Sequence, residues 1–290
     1  MKAVLGVMGG SGIYDLPGLE NKEWRAVETP WGDPSDDLCF ADYQGLPMVF
    51  LPRHGRGHRI PPTDINYRAN IDAMKRSGVT DLISLSACGS FREELAPGNF
   101  VMIDQFIDRT FAREKSFFGP GCVVHVSCAE PISPLLQSRL HQAALSEGIA
   151  AHKGGTFLIM EGPQFSTMAE SHLYRQWGCA VIGMTNMPEA KLAREAEICY
   201  ATAAMVTDYD SWHPDHGTVD VTSILKVLDE NRENAQRLVA RVAADFPREH
   251  EMCPIGSDRS LDFAVITPLE ARDKALMAKL DAVAGRVLGQ

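Results

Sequence analysis

Two aspartates, Asp208 and Asp210, directly follow a mostly apolar run over residues 198–206. Such a run predicts a buried strand, and open α/β folds keep their ligand crevice at the carboxyl ends of such strands. Alternate residues share one face of a strand, so both carboxylates can face one ligand. A partly desolvated carboxyl beside a second acid holds a raised pKa and can donate a proton near neutral pH. The same residues also fit a solvated turn, because aspartate is a common turn former.

The first predicted strand ends in a glycine-rich turn, Gly9-Gly10-Ser11-Gly12. Glycines let backbone N–H groups converge on an anion, and the Ser11 hydroxyl adds a side-chain donor. The turn is neither a Gly-x-Gly-x-x-Gly nor a Walker motif, so an ordinary glycine turn is the competing interpretation. By itself the motif indicates an anion site only weakly.

A basic cluster begins at Arg53, directly after the strand predicted over residues 48–51. The Arg53 guanidinium is a rigid fork that fits two phosphate oxygens, and His54 can add a further charge-assisted hydrogen bond. The later bases of the cluster are predicted to lie in a solvated loop, where Arg56 can equally pair with Asp36 at the surface. Arg53 and His54 are therefore the candidates for anion binding.

Other predicted strands end in small or hydroxylated residues. Ser86-Ala87 closes one strand and Met184-Thr185 another, which lets a ligand approach the backbone closely. Phe165-Ser166 adds an aromatic ring and a hydroxyl just before a capped helix. The strand ends together predict a site that holds an anion at one end and a heteroaromatic leaving group at the other.

The elements that must position these residues alternate between short strands and helices, which predicts an α/β fold with a mostly parallel sheet flanked by helices. Strands are predicted at residues 3–8, 38–43, 48–51, 82–86, 100–103, 156–160, 180–184 and 199–206. Helices are predicted at residues 66–77, 134–147 and 223–246, with further starts at Thr167, Asn186 and Thr267. No linker or repeat divides the chain, so residues 1–290 are predicted to form a single domain with a C-terminal helical segment at about 253–290.

Composition restricts the partners of this chain. Its 290 residues are 45% hydrophobic and 23% charged, as in ordinary globular proteins, and no apolar run is long enough for a signal peptide or a membrane span. A net charge of −10 argues against nucleic acid or an anionic membrane as a partner, whereas a local basic pocket can still bind a small anion. The seven cysteines are scattered and form no Cys-x-x-Cys motif, which predicts reduced thiols and a cytoplasmic location.

Taken together, these motifs resemble the trimeric purine nucleoside phosphorylase family, and within it the members that act on 5′-methylthioadenosine. The resemblance extends over nearly the whole chain, and its most specific blocks are residues 103–110 and 207–210. The other matching stretches are residues 9–12, 53–56, 66–70, 87–90, 129–131, 161–163 and 184–189. The resemblance implies a nucleoside phosphorylase fold with a mixed central sheet, and phosphorolysis of 5′-methylthioadenosine to adenine and 5-methylthioribose 1-phosphate.

The resemblance also implies a role for each site residue. Asp208 would protonate or hydrogen-bond adenine N7 as the base leaves, and Asp210 would accept from the exocyclic amine. The co-substrate phosphate would be bound by Ser11, Arg53, His54, Ser86, Ala87 and Thr185. The nucleoside would be contacted by Met184 at the ribose, by Phe165 and Ser166 at the base, and by His125, Val221 and Ile224 at the methylthio group, partly across a subunit interface. No cofactor and no metal are expected, and the expected assembly is a homotrimer.

The resemblance leaves a choice of base and two rival functions. A carboxylate at Asp208 favours a 6-aminopurine, which offers N–H donors, whereas asparagine would better match a 6-oxopurine. A methylthioinosine or general purine nucleoside phosphorylase is therefore the alternative.

A regulator that binds nucleosides without turnover would lack the acid or the anion site. A nucleoside hydrolase would need a calcium-binding acid cluster near the N-terminus, which the sequence lacks. Gln164, Gly183 and Asn186 depart from the usual family pattern.

Overall fold

The fold is taken from a computed structural model, which describes residues 1–10, 12–214 and 221–288, apart from the side chains of residues 221–224 and 226. Three predicted site residues are affected by these limits. Ser11 lies outside the described residues, and so do the side chains of Val221 and Ile224. None of the helices within the described ranges has the length and apolarity that crossing a bilayer requires.

Among the described residues, a mixed sheet of 11 strands forms the centre of the fold, which confirms the predicted fold class. The strands are β1 Leu5–Gly9, β2 Glu20–Arg25, β3 Leu38–Tyr43, β4 Leu46–Pro52, β5 Asp81–Ser90, β6 Phe100–Met102, β7 Gln105–Arg109, β8 Ala151–Lys153, β9 Thr156–Met160, β10 Val181–Gly183 and β11 Cys199–Asp208. Their order is β2-β3-β4-β1-β5-β10-β9-β7, and β11 pairs with both β5 and β6, of which β6 also pairs with β8. Strand β1 is parallel to β4 and β5, whereas β10 runs antiparallel to β5.

Helices pack around this sheet, and local capping explains where several of them begin. They are α1 Tyr67–Arg76, α2 Pro134–Ser146, α3 Met168–Gln176, α4 Asn186–Glu195, α5 Val221–Asp245, α6 Lys274–Lys279 and α7 Asp281–Leu288. The Asn66 side chain accepts from the first turn of α1. Thr167 and Glu170 form the predicted capping box of α3, in which each side chain satisfies a backbone N–H of the other.

The helix predicted from Thr267 to the C-terminus is wrong. The Thr267 hydroxyl accepts a hydrogen bond from the backbone N–H of Val123 (2.8 Å), so it is not available to cap a helix. A 3-10 turn at Leu269–Ala271 follows instead, and Asp273 is the actual cap of α6. A long-range contact therefore overrides the local capping signal.

The longest and most buried pairing, between β5 and β11, sets the position of the site. These strands run parallel from Asp81↔Cys199 to Cys88↔Val206, and the register then shifts so that Asp208 lies opposite Gly89. Their residues are almost entirely buried, as expected for strands covered on both faces. The carboxyl end of β11 therefore reaches the sheet edge at a bulge, and this bulge presents Asp208.

The opposite end of the same strands holds the C-terminal segment through His250. Its Nδ1 lies 2.9 Å from a carboxylate oxygen of Asp81, the first residue of β5, and its Nε2 lies 3.3 Å from Asp258. The hydrogen bond to Asp81, with those to Asp258, raises the pKa of His250 above its usual value although burial opposes this. His250 thus joins the start of the sheet to the segment that precedes α6.

We expect the stability contributed by His250 to depend on pH. Because its pKa is raised in the folded state, this contribution is fully present below the ordinary histidine pKa of about 6.5 and is lost as pH rises through the raised value. The His250→Gln variant should therefore lose more unfolding free energy, measured by urea denaturation, at about pH 5.5 than at about pH 9. An equal loss at both pH values would contradict this account, and His152→Gln is the control.

Candidate active site

Residues at the ends of β1, β4 and β10 and in the middle of β5 lie close together around a candidate crevice. The backbone N–H of Arg53, after β4, donates to the carbonyl of Gly9 at the end of β1 (3.0 Å). From the middle of β5, the Ser86 hydroxyl lies 2.9 Å from the hydroxyl of Thr185, which follows β10. Ala87 is the only exposed residue in the burial pattern of β5, so the crevice opens over its backbone. The structure thus brings together the predicted anion-binding residues Arg53, Ser86, Ala87 and Thr185.

Arg53 is buried and its guanidinium faces other parts of the protein. Its Nε donates to Glu189 (2.6 Å), and its Nη2 donates to Glu189 (3.2 Å) and to Ser84. Its Nη1 donates to the carbonyl of Leu85 (3.1 Å) and has no other acceptor among the described residues. The guanidinium of Arg53 therefore pairs with the Glu189 carboxylate and cannot donate two parallel hydrogen bonds to phosphate. One Nη1–H of Arg53 remains available for an external acceptor.

Glu189 is the centre of a buried polar network beneath the crevice. It is fully buried and also accepts from the hydroxyls of Ser84 (2.6 Å) and Tyr200 (2.8 Å). The amide of Asn186 donates to the same two hydroxyls and to Thr202. This network fixes the first turn of α4, which follows Thr185, against β5 and β11. Asn186, a departure from the family pattern, is thus a structural residue of the network.

The pKa of His54 is lowered to about 4, chiefly by burial and also by the charges of Arg53, His58 and Arg113, against the opposing effect of its hydrogen bond to Ile60. This direction favours the neutral ring at neutral pH. The role of His54 in phosphate binding stays a prediction. As predicted, the later bases of the loop lie at the surface, where Arg56 pairs with Asp36 (2.6 Å).

The two acids lie at the carboxyl end of β11, beside Gly89 of β5. One oxygen of Asp208 accepts from the Thr207 hydroxyl (2.7 Å) and the other from the backbone N–H of Asp210 (2.8 Å). Asp210 is 5% exposed, and no donor among the described residues lies within hydrogen-bond distance of its Oδ2, although the Ser171 and Ser166 hydroxyls are near enough to act on its pKa. Burial raises the pKa of both carboxyls. A half-buried and a buried acid with raised pKa values and an acceptor oxygen are suited to holding a proton and binding an N–H group.

Comparison with known proteins identifies the family. The model of the phosphorylase superfamily matches residues 4–244. This chain belongs to the phosphorylase superfamily. It is 67% identical over 287 residues to the S-methyl-5′-thioadenosine phosphorylase of Bradyrhizobium diazoefficiens, with 99% of each chain covered, and 63% identical to that of Cereibacter sphaeroides, again with 99% of each chain covered.

Solved structures give the same placement. A methylthioadenosine phosphorylase sourced from an antarctic soil metagenomic library superposes with a TM-score of 0.89 at 43% identity, covering 97% of this chain and 99% of that chain. Methylthioadenosine phosphorylase from Schistosoma mansoni in complex with adenine superposes with a TM-score of 0.80 at 33% identity, covering 98% of each chain. Within the phosphorylase superfamily, this chain therefore resembles proteins named for methylthioadenosine.

A second buried ion pair joins Arg113 and Glu161. The spacing of these two residues in the sequence does not predict the pair. The Arg113 guanidinium donates to Glu161 Oε1 (2.8 Å) and to the carbonyls of Met184 (2.5 Å) and Met187 (2.7 Å). Burial would raise the pKa of Glu161, but hydrogen bonds from the backbone of Phe111 and Ala112 and from Arg113 outweigh it and lower the pKa to about 2. The pair therefore fastens the Met184–Met187 turn to the end of β9.

Several predicted substrate residues are less closely connected to the crevice. Ser166 is buried, and its carbonyl accepts from Ser211 (2.8 Å) just after Asp210, which places it near the acids. Phe165 is 44% exposed. His125 is exposed, and its backbone N–H donates to the carbonyl of Ala264. Its contact with the methylthio group stays a prediction.

Gly89 has no side chain, and Asp208 and Asp210 occupy the space beside it. A Cβ at this position would lie 2.9 Å from Asp208 Oδ1 and 3.2 Å from the Cβ of Asp210. We expect Gly89→Ala to displace the acids and to lower kcat/KM on the order of tenfold to a hundredfold, since small misplacements of catalytic groups are costly. Gly285→Ala, with open space around its Cβ, is the matched control. Full activity of Gly89→Ala in a steady-state assay would contradict this geometry.

Proposed function

We propose that this chain catalyses the phosphorolysis of 5′-methylthioadenosine to adenine and 5-methylthioribose 1-phosphate. The observation that carries the proposal is the placement of the two acids beside Gly89 of β5, the strand whose Ser86 lies in the cluster of anion-binding candidates. The Ser86–Thr185 hydroxyl pair and Arg53 support phosphate at one end, while Asp208 and Asp210 support a purine at the other. The similarity to bacterial S-methyl-5′-thioadenosine phosphorylases supports the choice of nucleoside.

The geometry supports a dissociative displacement. As the glycosidic bond breaks, positive charge develops at the ribose C1′, and a phosphate anion bound near Ser86 and Thr185 stabilises that charge and forms the new bond. The departing purine keeps the electron pair of the broken bond and so gains negative charge. A proton that Asp208 donates to N7 neutralises this charge. The unpartnered Oδ2 of Asp210 supplies an acceptor for the exocyclic amine of adenine.

Adenine is the proposed base because both acids accept hydrogen bonds when ionised and the protonated form of Asp208 can also donate. Hypoxanthine has a carbonyl in place of the amine, and this carbonyl would face the buried Oδ2 of Asp210 as a second acceptor. Two facing acceptors without a proton between them are unfavourable when buried. No specific observation therefore favours the alternative of a methylthioinosine phosphorylase.

Phosphate is the proposed co-substrate, and we propose that the reaction needs no cofactor or metal. The proposed role is purine and methionine salvage in the cytoplasm.

We also propose a homotrimer, in which His125 of one subunit, with Val221 and Ile224, lines the methylthio group. Large apolar side chains left exposed in the single chain support a subunit interface, namely Phe111 (82% exposed), Phe263 (100%) and Ile266 (62%). Light scattering that gives a monomer would contradict the trimer.

The experiment that tests the function is ultraviolet-monitored cleavage of 5′-methylthioadenosine with and without phosphate, with methylthioinosine and adenosine as parallel substrates. We expect adenine release that depends on phosphate and is slower for methylthioinosine. Release without phosphate would identify a hydrolase, and the absence of release from all three nucleosides would favour a binding protein.

A further inference from the structure

Helix α3 packs against the 3-10 turn Asp210–Trp212, which begins with the second acid of the site. The guanidinium carbon of Arg175, in the last turn of α3, lies 3.6 Å from the centroid of the Trp212 ring. Ser171 precedes Arg175 by four residues and therefore lies on the same face of the helix. This face of α3 is thus turned towards the segment that carries Asp210.

Ser171 has a buried hydroxyl that the helix itself does not use. The residue is fully buried, and its Oγ has no hydrogen-bond partner among the residues that the structure describes. A serine inside a helix commonly donates to the carbonyl four residues earlier, here that of Thr167. That carbonyl accepts the backbone N–H of Ser171 (2.9 Å) but not its hydroxyl. Because an unpaired buried hydroxyl is costly, a second polar group is expected beside it.

The carboxyl of Asp210 is such a group. Its Oδ2 is also buried and also lacks a partner within the described ranges of the chain. Burial raises the pKa of Asp210, and the strongest opposing effect comes from the neighbouring Ser171 hydroxyl. The Ser166 hydroxyl opposes burial less and has Met160 Sδ as an acceptor (3.8 Å). Two neighbouring buried groups that both lack a partner can satisfy each other.

We propose that Ser171 is a positioning residue for base recognition, whose hydroxyl donates to the Asp210 carboxylate, keeps it ionised and directs its remaining lone pairs towards the exocyclic amine of a 6-aminopurine. This inference rests on the proposed function, because it takes adenine as the base in this site. A carboxylate has about four acceptor positions, so it can accept from Ser171 and from an amine together. A protonated Asp210 would lose the charge that strengthens the hydrogen bond from the amine.

The other groups around Asp210 leave this task to Ser171. Asp208, at the end of β11, opposes ionisation of its neighbour by like charge. Tyr174 of α3 also acts electrostatically on Asp210, but its own pKa is raised, chiefly by burial, so it is neutral near pH 7. Strand β5 presents a glycine to Asp210, which adds no charge. The backbone N–H of Ser211 favours the carboxylate less than the Ser171 hydroxyl does.

The first test compares adenine with unsubstituted purine, which has a hydrogen in place of the exocyclic amine. Calorimetry measures the binding of both bases to the wild-type protein and to Ser171→Ala from mildly acidic to neutral pH. The preference of the wild-type protein for adenine should fall as pH falls, because Asp210 becomes protonated. In Ser171→Ala the lost donor raises the pKa of Asp210, so the preference should fall at a higher pH and be about tenfold smaller at neutral pH. The same preference and pH dependence in both proteins would overturn the proposal.

A purely structural role of Ser171 would give a different result. Alanine is a good helix former, but if Ser171 only fills space, its replacement should weaken adenine and purine by the same factor. Equal weakening would therefore also overturn the proposal. Ser138→Ala, the same substitution on α2, is the control and should keep the wild-type preference. If Ser171→Ala does not fold, Ser171→Cys keeps the size of the side chain with a weaker donor and should also reduce the preference.

A second test adds Asp210→Asn. The amide does not ionise, so the pH dependence of the adenine preference should disappear, and Ser171→Ala should then have no further effect on that preference. An equal effect of Ser171→Ala with and without Asp210→Asn would overturn the proposal. Phosphate-dependent cleavage of 5′-methylthioadenosine by the wild-type protein is assayed separately. Failure of the proposed function abolishes that cleavage, whereas failure of this inference leaves it intact and leaves the adenine preference of Ser171→Ala unchanged.

Discussion

Replacing Asp208 with asparagine is expected to lower kcat for 5′-methylthioadenosine by about a hundredfold or more, the usual contribution of a general acid. The asparagine keeps the size of the side chain, and its one carbonyl oxygen can still accept from the backbone N–H of Asp210 while its NH2 group faces the Thr207 hydroxyl. It cannot deliver a proton to the departing base, because an amide has no acidic hydrogen at this pH. Steady-state kinetics monitored in the ultraviolet would measure the loss.

The same variant should shift base preference towards the inosine analogue, since an asparagine can both donate and accept at a 6-oxopurine with a protonated N7. The ratio of kcat/KM values for methylthioadenosine and methylthioinosine is the measurement. Asp64→Asn, in the 3-10 turn before α1 and away from the acid pair, is a control that should leave both values unchanged. An unchanged base preference in Asp208→Asn would show that its role is misassigned.

The strands that the sequence predicts best are those whose side chains are buried. The bounds of β3 and β9 match the predicted residues 38–43 and 156–160. Strand β11 was predicted at residues 199–206 and continues to Asp208. Strand β2 is missed because its residues are almost all exposed, and β7 because it is a partly exposed edge strand. Hydrophobic periodicity reports burial, so a polar edge strand gives little signal.

The candidate site was only partly predictable for a related reason. Asp208 ends a long apolar strand and Asp210 begins the 3-10 turn that follows it, so one local pattern indicates both their place and their chemistry. The partner of Arg53 is 136 residues away in the sequence, and the partner of Arg113 is 48 residues away. No spacing rule pairs such residues. The glutamate of the Glu161-Gly162-Pro163 stretch was visible as a motif, but its role as an ion-pair partner needed the fold.

Replacing Glu189 with glutamine is expected to have the largest effect on stability. Glu189 is fully buried and is the counter-charge of Arg53, whose side chain is 2% exposed. The amide keeps the shape and some hydrogen bonds, but it leaves a buried guanidinium without an opposite charge. Breaking a buried ion pair in this way costs about 3–5 kcal/mol of unfolding free energy. Urea denaturation would measure the loss, and Glu23→Gln, in an exposed pair with Arg25, is the control.

A paired substitution separates the structural role of this network from its role in phosphate binding. Replacing both Arg53 and Glu189 with methionine removes both charges, and such exchanges of buried pairs for apolar residues are often neutral in stability. We therefore expect the double variant to recover much of the stability that Glu189→Gln loses, while the KM for phosphate stays raised because the remaining Nη1–H of Arg53 is gone. A double variant with the wild-type KM for phosphate would show that Arg53 stabilises the crevice without contacting the anion.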